Sequence, residues 1–335
     1  MTRRRNVFGI AYFKGLFLSA SDKPTREWYT LRIDKSLRDV VERYDKSFFK
    51  LVSAIADTCI ELASQIAGKS EKAGSMNIFG ENQLEVDVWS NQLLIHELQK
   101  TELVSQIASE ELDSVTKMSK GEFSIVLDPL DGSSNLASDN LLGTIVGVFR
   151  ETDLPAKGRD LYASMYFLYG PFIQLVLAVE RNVYIFFALG KGEKSARFVS
   201  TGEPHKIPSS ASVYGIGGAR AKWTTPVNRF VEMLEQRSLS LRYGGSFVGD
   251  YNQVLLKGGF FAYPELKDAP NGKYRLQFES NPIAFITAAA GGSSTNGTTS
   301  ILDVEPETLS QRVPTYLGNP DLVSEFEKIY QKKIA

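Results

Sequence analysis

The chain has 335 residues, enough to bury a large core either as one elaborate domain or as two fused lobes. Its 38 Lys+Arg against 39 Asp+Glu leave a formal charge of -1, so no net field draws the whole protein to nucleic acid or to a membrane surface. Cys59 is the single cysteine, which excludes an internal disulfide and fits a reducing, cytoplasmic setting, and with only His96 and His205 there is little material for Ser-His-Asp chemistry or a His-rich zinc site. Catalytic machinery has to be built from carboxylates.

Residues 1–44 read as an N-terminal extension and lead-in. Three arginines precede an apolar stretch, but Lys14 interrupts it, and no segment approaches the ~18 apolar residues of a membrane span. From Asp45 to Ala67 the apolar residues Phe48, Leu51, Ile55, Cys59, Leu62 and Ile66 recur at helical spacing. The segment Gly68 to Asn77 is rich in Gly, Ser, Lys and Glu and reads as an exposed connection, and a second helix is expected from Gln83 to Gln99. Phe123 to Leu127 reads as a buried strand stopping at Asp128. Between Leu161 and Phe198, β-branched and aromatic runs broken by turn residues predict an antiparallel meander. Gly202 to Ser210 is the expected boundary between a first lobe, residues 45–205, and a second, residues 206–335. In the second lobe, Pro226 to Gln236 and Pro282 to Ala290 read as helices, the latter closed by Gly291, while Gly258 to Tyr263 and Tyr274 to Phe278 read as strands.

The most informative string is Asp128-Pro-Leu-Asp-Gly-Ser-Ser-Asn135. Two carboxylates at a strand end, with the Leu130 carbonyl between them, suit hard divalent cations, which take oxygen ligands. Gly132, Ser133 and Ser134 would then open a helix whose free amides favour a phosphate. A bare Asp-Pro-x-Asp could equally be a capped turn, but the full string is far more specific. Glu110 and Glu111, in Ala108-Ser-Glu-Glu111, add carboxylates that alone would pass for a solvated surface, and Glu81 and Asp87 would alone be charges at a helix N-terminus.

Taken with Gly80-Glu81, Asp87 and Leu276-Gln-Phe-Glu-Ser-Asn-Pro282, these strings resemble the fructose-bisphosphatase family, which includes the sedoheptulose-bisphosphatases; the resemblance runs from about Phe48 to Gly318. It implies a layered α-β-α-β-α architecture of two lobes, in a homodimer or homotetramer. It further implies two or three Mg2+ ions, with Mn2+ as a substitute, on Glu110, Glu111, Asp128, Asp131, Glu279 and the Leu130 carbonyl. Asp87 and Glu111 would orient or deprotonate the attacking water, and Glu81 would enter the site on a mobile loop. Arg242, Tyr243, Ser246, Phe247, Tyr263 and Lys273 would hold the sugar phosphate, with Lys267 assisting and Arg242 reaching into a neighbouring subunit.

Some positions depart from the usual fructose-bisphosphatase pattern. Gly217-Gly-Ala-Arg220 stands where those enzymes have Asn-Glu-Gly-Tyr, so Arg220 is expected to grip the distal phosphate and Gly217 to leave room for a longer sugar. Asp250-Tyr-Asn-Gln253 and Phe79-Gly-Glu-Asn-Gln-Leu84 also resemble sedoheptulose-bisphosphatases. The expected reaction is hydrolysis of the 1-phosphate of sedoheptulose 1,7-bisphosphate, with fructose 1,6-bisphosphate, or both, as the alternative and a non-catalytic binding homologue behind them. No AMP-binding string is found near Asp45 to Val52, and Glu122-Phe123 replaces the family's Lys-Tyr, so AMP inhibition is not expected.

Overall fold

The computed structural model describes residues 33–66, 72–76, 82–118, 120–189 and 194–331. Glu81, Phe79, Gly80, Met1 to Ser21 and the Gly190-Lys-Gly turn lie outside the described residues.

The first half comprises β1 (Lys35–Ser36), α1 (Leu37–Val41), α2 (Lys46–Gln65), β2 (Lys72–Met76), β3 (Asn82–Leu84), α3 (Glu85–Lys100), β4 (Val104–Ser109), β5 (Thr116–Lys117), β6 (Phe123–Asp131), β7 (Leu142–Arg150), β8 (Ala163–Tyr169), β9 (Ile173–Val179), β10 (Asn182–Ala188) and β11 (Phe198–Ser200). The expected helices are present. Asp45 caps α2 by accepting a hydrogen bond from the Phe48 amide at 2.8 Å. Part of the expected loop is strand, since β2 pairs with β3. Among the described residues, nine strands form one sheet in the order β1-β11-β10-β9-β8-β7-β6-β4-β5, with β8 to β10 as the expected meander.

The second half adds β12 (Val213–Ile216), α4 (Thr225–Gln236), β13 (Ser240–Leu241), α5 (Phe247–Lys257), β14 (Gly259–Tyr263), α6 (Asn281–Ala289), β15 (Ser293–Thr295), β16 (Thr315–Gly318) and α7 (Pro320–Gln331), with a five-stranded sheet ordered β13-β12-β14-β16-β15.

Side-chain alternation sorts these elements into five layers. Phe48, Ile55 and Leu62 of α2 pack with Leu94 of α3 onto Ile125, Leu127, Val146 and Phe167 on one face of the large sheet. Ile145, Tyr166 and Val176 on its other face pack against Phe247 and Tyr251 of α5 and Ile283 and Ile286 of α6. The same helices meet Phe261 and Leu317 of the small sheet. Phe260, Ala262 and Tyr316, one residue out of phase, face Phe230 of α4 and Phe326 of α7. The order is α-β-α-β-α, as expected. No helix among the described residues is long and apolar enough to cross a membrane.

Two local expectations are corrected. Strand β6 does not stop at Asp128 but continues to Asp131 through an irregularity. Tyr274 to Phe278 is not a strand: Leu276–Ser280 is a π-helical turn, with the Ser280 amide donating to the Arg275 carbonyl at 3.1 Å, and it runs directly into α6. Pro282 lacks an N–H and cannot continue a regular helical ladder, which favours the widened turn before it.

Candidate active site

Strands β4 and β6 run parallel, with Ser109 beside Leu127, so their C-terminal ends open at one place, where α/β sheets hold ligands. Glu110 and Glu111 follow β4 directly, and the Glu110 amide donates to the Leu127 carbonyl at 2.9 Å. Ser109 fixes this corner: its hydroxyl donates to Asn91 Oδ1 of α3 at 2.7 Å and accepts from the Glu111 amide at 3.3 Å. Asp87 is buried in the first turn of the same helix.

On β6, Asp128 and Asp131 flank Pro129 and Leu130. Asp131 lies against the N-terminus of α5: its Oδ2 accepts from Ser246 Oγ at 2.7 Å and from the Val248 amide at 2.9 Å, and its Oδ1 from the Phe247 amide at 3.1 Å. Ser246 and Phe247 are therefore buried partners of a site carboxylate. Gly132 follows with φ of +80°, and a Cβ there would lie 2.8 Å from Cβ of Ser246, so only glycine fits. Ser133 and Ser134 open a six-residue 3-10 turn, Ser133–Ser138, instead of a longer helix.

Glu279 enters from the π-helical turn. Its Oε2 accepts from the Arg275 amide at 2.6 Å, while the Arg275 guanidinium, 2 % exposed, pairs with Glu110. One carboxylate oxygen each from Glu110, Asp128 and Glu279 lie within 4.8 Å of one another. Arg275 was missed in the sequence; its signal was the i, i+4 spacing to Glu279 inside a string otherwise destined for the core.

So many carboxylates in one buried place disfavour ionisation. Asp128 is pushed well above the usual carboxylate range, first by burial and then by the charges of Asp131, Glu279, Glu111 and Asp87. Glu279 is pushed up to about 7 by burial, against the pull of Arg275. Asp131 is also raised by burial, opposed by its three donors around Ser246. The all-oxygen donor set fits a hard divalent cation, whose opposite ligand oxygens stand about 4–5 Å apart. Such a cation would supply the positive charge the cluster lacks.

The second-lobe residues divide. Lys273 faces the cluster, since its charge acts on both Asp131 and Glu279, and its Nζ stands 5.5 Å from the centroid of Tyr263. Tyr243 is 44 % exposed beside Tyr263, and Arg242 is exposed at the edge strand β13. Lys267 Nζ donates to the Ala221 carbonyl at 3.0 Å. Arg220 is engaged by Glu235 at 3.3 Å and Glu232 at 3.5 Å. The space beside Gly217 holds the Tyr263 ring, for a Cβ at 217 would come within 2.3 Å of it. In the Asp250-Tyr-Asn-Gln string, Tyr251 is buried in the core and Asn252 accepts from Tyr166 and Gln174 at 2.8 and 2.9 Å. Asp250 accepts from the Gly244 and Gly245 amides at 2.5 and 3.0 Å, shaping the loop that carries Arg242 and Tyr243.

Residues 39–195 match the family described as fructose-1-6-bisphosphatase, N-terminal domain, and residues 207–331 match its C-terminal domain. A class 1 fructose-1,6-bisphosphatase of Pelobacter propionicus is 40% identical over 298 residues, covering 88% of this chain and 90% of that protein. One from Halobacterium salinarum is 40% identical over 278 residues, covering 81% and 93%. The holo crystal structure of Leishmania major fructose-1,6-bisphosphatase superposes with a TM-score of 0.81 at 27% identity, covering 89% of this chain and 99% of that one. A Toxoplasma gondii protein described as a candidate sedoheptulose-1,7 bisphosphatase gives 0.79 at 30% identity, with the same coverage. With its carboxylate cluster at the mouth of the parallel strand pair and relatives along nearly its whole length, the chain belongs to the fructose-1,6-bisphosphatase family of phosphoric monoester hydrolases.

Proposed function

We propose that this enzyme hydrolyses the 1-phosphate of fructose 1,6-bisphosphate with Mg2+ bound to the Glu110, Asp128 and Glu279 cluster. The observation carrying the reading is that buried cluster, three carboxylates converging within 4.8 Å beside Lys273 and the tyrosines of the second lobe. Glu111, Asp131 and the Leu130 carbonyl complete the ligand set. When bound, the metal polarises the phosphate and lowers the pKa of a ligated water. Asp87 and Glu111, whose charges act on Asp128, would orient and deprotonate the attacking water. The amides and hydroxyls of Ser133 and Ser134 receive the phosphate oxygens, while Lys273, Tyr243, Tyr263 and Arg242 hold the sugar and its distal phosphate. Mn2+ substitutes, and the working form is a cytoplasmic homodimer or homotetramer in which Arg242 serves a neighbouring site.

The 40% identity to fructose-1,6-bisphosphatases favours the six-carbon substrate. Two features that favoured a longer sugar are otherwise occupied, Arg220 by Glu232 and Glu235, and the space at Gly217 by Tyr263. Sedoheptulose 1,7-bisphosphate is the second reading, favoured by the 30% identity to the Toxoplasma gondii protein. Phosphate release with Mg2+ from both bisphosphates, compared as kcat/KM, tests the assignment. A preference for fructose 1,6-bisphosphate is expected; a large preference for the seven-carbon sugar would reverse the order.

A further inference from the structure

The carboxylates Asp128 and Asp131 are aimed by a β-bulge. Asp128 pairs with Ile145 and Asp131 with Gly143, so Pro129 and Leu130 on β6 stand opposite Thr144 alone on β7. A bulge removes ladder hydrogen bonds, and Pro129 has no N–H to offer. The Leu130 amide is satisfied by Asp128 Oδ1 at 3.1 Å, which ties the backbone to the carboxylate itself. The Pro129 carbonyl accepts from the Thr144 hydroxyl at 2.8 Å, and Thr144 is fully buried.

Thr144 does not act alone. Its oxygen lies 2.7 Å from the Tyr169 hydroxyl of β8, and both hydroxyls act on the buried thiol of Cys59 on α2. Because the Thr144 proton goes to the Pro129 carbonyl, Tyr169 must be the donor to Thr144. Burial pushes the Cys59 thiol up to about 12, so it remains neutral. A hydroxyl chain therefore runs from Tyr169 of β8 through Thr144 of β7 to the carbonyl between the two carboxylates.

We infer that Thr144, backed by Tyr169, is a positioning residue for the metal site: its hydrogen bond to the Pro129 carbonyl fixes the bulge that aims Asp128, Leu130 and Asp131. Neither side chain belongs to the proposed ligand set. The inference rests on the metal-site reading above. Partners that orient metal ligands typically change metal affinity about 10–100-fold when removed.

The test is Mn2+ binding to the purified full chain without substrate, by titration calorimetry and by loss of the free-ion EPR signal, with melting temperature measured alongside. Thr144→Val keeps shape and strand propensity but removes the donor, and it should weaken Mn2+ binding about 10-fold. Thr144→Ser restores the hydroxyl and should return affinity to within about two-fold of wild type. Tyr169→Phe should give a smaller loss of about three-fold, and it carries the test if Thr144→Val does not fold. In the phosphatase assay the half-saturating Mg2+ should rise while KM at saturating metal stays constant. Folded Thr144→Val and Tyr169→Phe proteins with wild-type Mn2+ affinity would overturn the inference while leaving the metal site standing. A wild-type chain that binds no Mn2+ would overturn the metal-site reading and this inference together.

Discussion

Replacing Gly217 by alanine tests whether Tyr263 or a longer sugar owns the space beside it. The new Cβ would lie 2.3 Å from Cδ2 and 2.4 Å from Cε2 of the ring, so the ring must retreat by about 1 Å or more to reach ordinary contact. Retreat disturbs its edge-to-face contact with Tyr274, 5.2 Å between centroids, and its position under Lys273. Overpacking costs about 1–3 kcal/mol, and part of it will fall on substrate binding because Tyr263 and Lys273 are proposed to hold the sugar phosphate. At about 1.4 kcal/mol this is a ten-fold rise in KM, with kcat within about two-fold, for fructose and sedoheptulose bisphosphates alike. The assay is a double-mutant cycle with Tyr263→Ala, read in KM and in melting temperature. With the ring gone, Gly217→Ala should cost less than about two-fold in KM. Equal losses in both backgrounds would refute the argument, and a loss confined to sedoheptulose 1,7-bisphosphate would return the space to the longer sugar.

Glu279 binds a proton more tightly in the folded protein, where its pKa is about 7, than in the unfolded chain, so metal-free stability is greatest below about pH 4.5 with respect to this group and is lost as pH rises through about 7. Thermal unfolding should show the metal-free protein weakening from pH 5 to 8, while the stabilisation given by a fixed Mg2+ concentration grows over the same interval. Arg275→Met leaves Glu110 without its buried guanidinium and should cost about 3–5 kcal/mol in metal-free denaturant unfolding, with part of the loss recovered in saturating Mg2+. Arg220→Ala removes exposed ion pairs and a guanidinium contact with the Trp223 ring at 5.9 Å, and should change stability by about 1 kcal/mol or less; a ten-fold rise in KM would instead show that Arg220 leaves Glu232 and Glu235 to grip the distal phosphate.

The chemistry-bearing strings were legible because their residue types are rare in any other role. Asp128-Pro-Leu-Asp131 suits an oxygen-ligand site at a strand end, periodicity located individual helices and strands, and the five-layer order was implied by the family resemblance. The bulge itself was not legible, because it is set by register against Thr144 on a strand read separately. The turn at Leu276–Ser280 was read as strand because residues buried on all sides lose the periodicity that separates strand from helix. Arg220 and Gly217 show a further limit. The sequence gives the chemistry a side chain offers, while its partners, Glu232, Glu235 and Tyr263, are settled by packing.

The pairing of Arg275 with Glu110 spans 165 residues, and Glu279 stands four residues beyond that arginine. The carboxylates of β4 and β6 are synthesised long before the groups that complete their surroundings. During refolding, helix content and burial of the first core can develop while the hydrolytic centre is still absent. Recovery of activity should therefore trail the far-ultraviolet circular dichroism signal, making catalysis a stricter report of the finished fold than secondary structure.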